Sequence, residues 1–153
     1  LALKEKERNI IGMELDKSRV KVARAASHRI KNLSFENKDI TEVEGFSSCD
    51  VILLIDVLHH IKRRYHYQIL EDCHAALRKG GILLVKEIDN KPRWKYWYNY
   101  FQDKVMTLNG SLDFISPPDL INLLTKAGFR VETHQLKTWD LNPIPHRIFI
   151  CRK

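Results

Sequence analysis

Between Asp50 and Asp56 run five consecutive β-branched or leucine residues, Val51-Ile52-Leu53-Leu54-Ile55. A run with no polar alternation is the pattern of a strand whose two faces are both covered, as in the parallel sheets of α/β proteins. Its neighbours support that class, because short apolar runs alternate with amphipathic stretches along the chain. Asn9 to Glu14 reads as a strand, and Asp16 caps a helix carrying Val20, Ala23 and Ala26 on one face. Leu33 to Asn37 reads as a second strand, and Val51 to Ile55 as a central one.

The second half continues the alternation. From about Arg63 to Arg78, Ile69, Cys73, Ala76 and Leu77 recur at helical spacing, and Lys79-Gly80-Gly81 predicts the stop, with glycine just past the helix end. Ile82 to Ile88 is the next buried strand. Pro92 opens a helix with Trp94, Trp97, Tyr98, Phe101, Val105 and Leu108 on a stripe, closed by Asn109-Gly110. Ser116-Pro117-Pro118-Asp119 is the clearest boundary: an N-cap, a proline suited to the first turn and an acid three residues on, with Gly128 ending the helix over Leu120 to Ala127. Phe129 to Leu136 and His146 to Cys151 are joined by too few residues for a helical crossover, so they pair antiparallel.

Length and composition narrow the function classes. At 153 residues and 44% hydrophobic composition the chain makes one domain, and at this size it buries roughly 70% of its unfolded surface. No apolar stretch approaches the ~20 residues of a membrane-spanning helix. No secretory signal pattern opens the chain. Cys49, Cys73 and Cys151 are odd in number and set in apolar surroundings, which suits free thiols in a reducing compartment and makes the cytoplasm the expected location. The net charge of +7 would attract a phosphate backbone if clustered. It is instead dispersed over Lys62-Arg63-Arg64, over Lys91, Arg93 and Lys95, and over Arg147, Arg152 and Lys153, the pattern of solvated faces.

Four local sequences, in order, resemble the class I S-adenosylmethionine-dependent methyltransferases. Ile10-Ile11-Gly12-Met13-Glu14-Leu15-Asp16 is similar to that family's second strand with its terminal acid. Asn37-Lys38-Asp39-Ile40 resembles the acidic site after the third strand. Asp50 to Ile61, through Asp56-Val57-Leu58-His59-His60, resembles the fourth strand and its turn, and Leu77-Arg78-Lys79-Gly80-Gly81-Ile82-Leu83-Leu84-Val85 the approach to the fifth strand. The resemblance covers nearly the whole chain. It implies a doubly wound α/β fold, with a mostly parallel sheet and an antiparallel C-terminal strand. In the family's strand order, 3-2-1-4-5-7-6, the first strand and its glycine-rich loop have no match here, and no G-x-G-x-G occurs. The chain therefore reads as an N-terminally truncated form of the domain, expected to bind cofactor weakly and to be inactive alone.

The resemblance implies S-adenosylmethionine as cofactor and assigns residues to it. Glu14, at a strand tip, can accept hydrogen bonds from both ribose hydroxyls, as dinucleotide-binding folds also do. Leu15 would pack on adenine, Asp39 and the Ile40 backbone would read its edge, and Asp56, Val57 and Leu58 would line the cleft near the transferable methyl. His60 is the candidate proton acceptor, since neutral imidazole suits that role, although methyl transfer often needs little beyond proximity and desolvation. His59, Trp94, Trp97, Tyr98 and Tyr100 are candidate substrate contacts, the aromatic helix serving as a lid, a substrate wall or a homodimer contact. With His66 and His74 the paired histidines make no recognisable zinc spacing.

The expected activity is methyl transfer to an O, N or C atom of a small molecule. An RNA or DNA methyltransferase is the nearest variant, disfavoured because Asp56-Val57-Leu58-His59 stands where base-modifying amino methyltransferases carry Asn/Asp-Pro-Pro-aromatic. A non-catalytic partner subunit is the alternative of another class. A nicotinamide-dependent oxidoreductase, which Glu14 would also fit, is disfavoured by the antiparallel terminal pair.

Overall fold

The computed structural model describes residues 1–42, 48–88, 113, 115–135 and 146–153. The chain divides into two compact units, Leu1–Gly45 and Phe46–Lys153.

In the first unit, β1 (Ile10–Glu14) pairs parallel with β2 (Leu33–Asn37), with Ile10 opposite Leu33 and Glu14 opposite Asn37. The crossover between them is α1 (Lys17–Ser27). Asp16 starts α1 as its side chain predicts, Oδ1 accepting the backbone N–H of Ser18 at 2.7 Å and of Arg19 at 3.3 Å. These bonds hold its carboxyl below the usual carboxylate range, the Ser18 contacts being the main cause. Arg24 reaches from α1 to the Phe35 carbonyl (2.6 Å from Nη2), tying helix to sheet. A 3₁₀ turn, Ile40–Glu42, follows β2.

In the second unit, β3 (Cys49–Ile55), β4 (Leu77–Ile88), β5 (Arg130–Gln135) and β6 (His146–Arg152) form a sheet of order β3-β4-β6-β5. The β3–β4 pair is parallel; β4–β6 and β5–β6 are antiparallel, as the short final connection requires. Among the described residues two α-helices belong to the unit, α2 (His66–Ala76) and α3 (Pro117–Lys126). Leu83, Val85, Phe149 and Cys151 from the sheet and Ile69, Leu70, Leu120 and Leu124 from the helices are fully or almost fully buried and make its core. The two sheets correspond to 3-2 and 4-5-7-6 of the family order, and the strand between those halves has no counterpart among the described residues.

Two local expectations are corrected. The 51–55 run is an edge strand, not a central one: Leu54 is buried, while Val51, Leu53 and Ile55 are exposed. An apolar run reports the surroundings a strand is suited to, and among the described residues nothing pairs with the outer edge of β3. The second correction concerns the Lys79-Gly80-Gly81 stop. Helix α2 ends earlier, at Ala76, and Leu77 is already extended. Gly80, at φ 77°, instead lies in an irregularity of β4, where the register jumps from Cys49 opposite Leu77 to Val51 opposite Ile82. Extra residues on one strand need a bulge, and glycine accepts its left-handed backbone.

At the end of α3 the expectation holds. Ser116 caps the helix, its Oγ accepting the Asp119 N–H, Pro117 and Pro118 occupy the first turn, and Gly128 turns the chain at φ 98°. A Cβ at Gly128 would also lie 3.0 Å from the His74 ring.

Candidate functional site

The tip of β1 presents an open carboxylate. Glu14 ends the strand with its side chain 37% exposed, and its Oε1 accepts the Asp16 N–H at 3.0 Å. Arg19 stands 3.9 Å from Oε2. Leu15 follows and is 67% exposed. The backbone here is fixed from the neighbouring strand, because Asn37 Nδ2 donates to the carbonyls of Glu14 and Leu15 at 3.0 and 2.7 Å. Nothing in the sequence marked Asn37, a last strand residue whose side chain acts across the ladder. Asp39 lies just beyond, its Oδ1 accepting the backbone N–H and Oγ1 of Thr41, both at 2.8 Å, at the start of the turn that carries Ile40.

The tip of β3 is built differently. Asp56 N–H donates to the Lys86 carbonyl at 2.9 Å, carrying the β3–β4 ladder one residue past the strand. Asp56 then enters the left-handed region, φ 54°, a conformation in which aspartate is one of the few residues at ease. The chain turns there into the 3₁₀ segment Leu58–His60.

Two buried side chains hold that turn. Glu87 of β4, 4% exposed, accepts the N–H groups of Val57 (3.2 Å) and Leu58 (2.8 Å) on Oε1 and the Nδ1–H of His59 (2.7 Å) on Oε2. From α2, fully buried His66 places Nε2 at 2.9 Å from the Leu58 carbonyl and 2.8 Å from that of Ile61, so this nitrogen carries the proton and donates. The turn's amides and carbonyls are thus satisfied by side chains from two other elements. An unpaired buried group would cost about 1–3 kcal/mol.

Around the turn gathers a charged cluster. Lys86 Nζ lies 2.5 Å from Asp56 Oδ2, and His146 Nε2, at the start of β6, lies 3.5 Å from Asp56 Oδ1. Oδ1 is buried and, among the described residues, accepts no hydrogen bond. Burial pushes the His146 imidazole below its ordinary pKa, helped by Lys86 and opposed by Asp56 and Glu87.

The sequence-predicted residues separate accordingly. Glu14, Leu15, Asp39 and Ile40 lie in the first unit, and Asp56, Val57, Leu58, His59 and His60 in the second. His59 is 2% exposed and bound to Glu87, whereas His60 is exposed, its ring centroid 4.1 Å from that of His59. Trp94, Trp97, Tyr98 and Tyr100 lie outside the described residues. Sequence reasoning missed Lys86, Glu87 and His146. The first two were legible only as adjacent positions, one on each face, in a strand that ends Val85-Lys86-Glu87-Ile88, where charge in a buried run is itself a signal.

Among the described residues no helix is long and apolar enough to cross a membrane. Among the exposed charges, Arg63 pairs with Asp119, Arg78 with Asp50 and Arg152 with Glu132.

A search of curated proteins by sequence finds no match. Solved structures match over most of the chain. A SAM-dependent methyltransferase from Methanosarcina mazei superposes with a TM-score of 0.73 at 18% identity, covering 99% of this chain and 84% of that one. An S-adenosylmethionine dependent methyltransferase from Mesorhizobium loti gives 0.77 at 15% identity, covering 95% and 80%. The N-methyltransferase NodS from Bradyrhizobium japonicum WM9, in complex with S-adenosyl-L-homocysteine, gives 0.70 at 14%, covering 95% and 66%. At these identities the likeness establishes the fold. The family model described as a methyltransferase domain matches residues 2–134, and the chain therefore belongs to that family of S-adenosylmethionine-dependent methyltransferases.

Proposed function

We propose that the protein methylates a small molecule at an O, N or C atom, binding the nucleoside of the donor at the tip of β1. The observation that carries this reading is the Glu14 carboxylate, half-exposed at the end of β1 with an exposed leucine beside it. A carboxylate there accepts two hydrogen bonds from a ribose diol. Leu15 offers an apolar face to adenine, with Asp39 and the Ile40 backbone at its edge. On the second unit, Asp56 and Val57 stand half-buried at the β3 tip, with Leu58 fully buried beneath them. The β1 tip, taken by itself, thus carries groups that fit the nucleoside of the cofactor.

When bound, S-adenosylmethionine supplies an electrophilic methyl on a sulfonium. The chain's own contribution is to hold, orient and exclude water, which for a displacement of this kind provides much of the acceleration. Glu87 and His66 fix the turn that carries Asp56, His59 and His60, so a ligand meeting it meets a preformed surface. His59 and His60, with Trp94, Trp97, Tyr98 and Tyr100, are the candidates for the acceptor's side of the site, and the aromatic residues also for a homodimer contact.

Calorimetric titration of the complete gene product with S-adenosylhomocysteine tests the reading. Binding that Glu14→Gln weakens about tenfold or more is expected, since charge-assisted hydrogen bonds are worth ~1.5–3 kcal/mol. Equal affinity in the variant, or no binding by the parent, would refute it.

A further inference from the structure

Of the histidines near the β3 tip, His59 is already committed to Glu87 and withdrawn from solvent. His146 is different in three respects. Its side chain is 14% exposed, enough to be reached yet largely desolvated. Its Nε2 lies 3.5 Å from Asp56 Oδ1, outside hydrogen-bonding geometry, and among the described residues that oxygen accepts no hydrogen bond. It opens β6 opposite Ile88, beside the β4 residues Lys86 and Glu87, and so stands over the same strand tips as the turn.

We propose that His146 is the proton acceptor of the methyl-transfer site, a catalytic residue oriented by Asp56. The assignment rests on the methyl-transfer reading above and deepens it, because it requires an acceptor that carries a removable proton on O or N. In the proposed arrangement Nε2–H swings onto Asp56 Oδ1, which leaves the lone pair on Nδ1, the arrangement by which a carboxylate fixes a histidine base. The acceptor's lone pair forms the bond to the methyl carbon, and the carbon–sulfur bond breaks with its electrons going to sulfur. The acceptor's proton passes to Nδ1, leaving an imidazolium beside the Asp56 carboxylate. The charged groups acting on the ring are Asp56 from the end of β3, Lys86 and Glu87 from β4, and His59 from the turn. Desolvation, and after it Lys86, disfavour its protonation before the reaction, and Asp56 receives the charge after it.

The test uses the complete gene product with 15N-labelled histidine. Long-range 1H–15N spectra between about pH 5 and 8 report the tautomer and titration of His146 in the wild type and in Asp56→Asn and Lys86→Met, asparagine being chosen because it tolerates the left-handed backbone. The expected result is a neutral ring at neutral pH with its proton on Nε2, a midpoint lowered in D56N and raised in K86M. A ring protonated at neutral pH, a proton on Nδ1, or the same titration in all three proteins overturns the assignment. Transfer of a tritiated methyl from S-adenosylmethionine to simple phenols and primary amines is the second arm. His146→Asn should lower kcat about tenfold or more with little change in KM for the donor, the deficit shrinking as pH rises and the acceptor ionises unaided. Wild-type turnover in H146N overturns the role. Loss of S-adenosylhomocysteine binding by the wild type, with His146 titrating as expected, would instead overturn the methyl-transfer reading.

Discussion

The tips of β1 and β3 end in the same kind of residue and are engineered in opposite ways. Glu14 is held by short-range contacts with Asp16 and Arg19 in the open. Asp56 sits in a left-handed turn whose amides, carbonyls and neighbouring histidine are bound by Glu87 and His66 from two other elements. The first tip offers a charge where a ligand can take it with little reorganisation. The second holds a geometry, and it depends on every partner being present, because a half-satisfied buried network is worse than none.

That difference is broken most severely at Glu87. Glu87→Ala leaves two backbone N–H groups and the His59 Nδ1–H without their acceptor, and denaturant unfolding should show a loss of about 3–5 kcal/mol. Glu87→Gln, which keeps one acceptor oxygen, should lose less. At the other tip, Glu14→Gln should leave the unfolding midpoint almost unchanged while weakening S-adenosylhomocysteine. A stability loss at Glu14 as large as that at Glu87 would erase the distinction.

How much of this was legible follows from the range over which each part is determined. The Asp16 cap, the Ser116-Pro117-Pro118 start and the Gly128 stop are short-range devices, and they form as the sequence implies. The antiparallel final pair follows from connection length alone. Glu14 and Asp56 stood out because acids ending apolar runs are conspicuous. Glu87 and His66 did not, because their partners lie 28–30 and 5–8 residues away and are met only through the fold. The Gly80 misreading has the same origin: helix end and strand bulge both want a left-handed glycine, and only the β3–β4 register distinguishes them. The apolar 51–55 run likewise reports a suitability for burial on both faces, whereas Val51, Leu53 and Ile55 are exposed.

Smaller effects sharpen the picture. Gly128→Ala should destabilise the second unit by ~1–2 kcal/mol through its positive φ, more if His74 cannot yield. In pH-dependent unfolding, His146 and His74 both have native pKa values below the unfolded one, through burial and then through Lys86 and Lys153 respectively. The unfolded chain therefore binds the extra protons, so stability should hold above about pH 6.5 and fall as pH drops below it. Asp16 and Asp119, lowered by hydrogen bonds to Ser18 and Ser116, add a further loss only in the acid range below the ordinary aspartate pKa. Burial pushes the Cys73 and Cys151 thiols up to about 12, so a thiol reagent at neutral pH should label neither until the protein unfolds.

A crystal structure of the complete gene product with S-adenosylhomocysteine measures the central claim directly. The account predicts the ribose hydroxyls on the Glu14 carboxylate and adenine against Leu15. Adenosine bound elsewhere, or a Glu14 side chain turned away from the sugar, would contradict it.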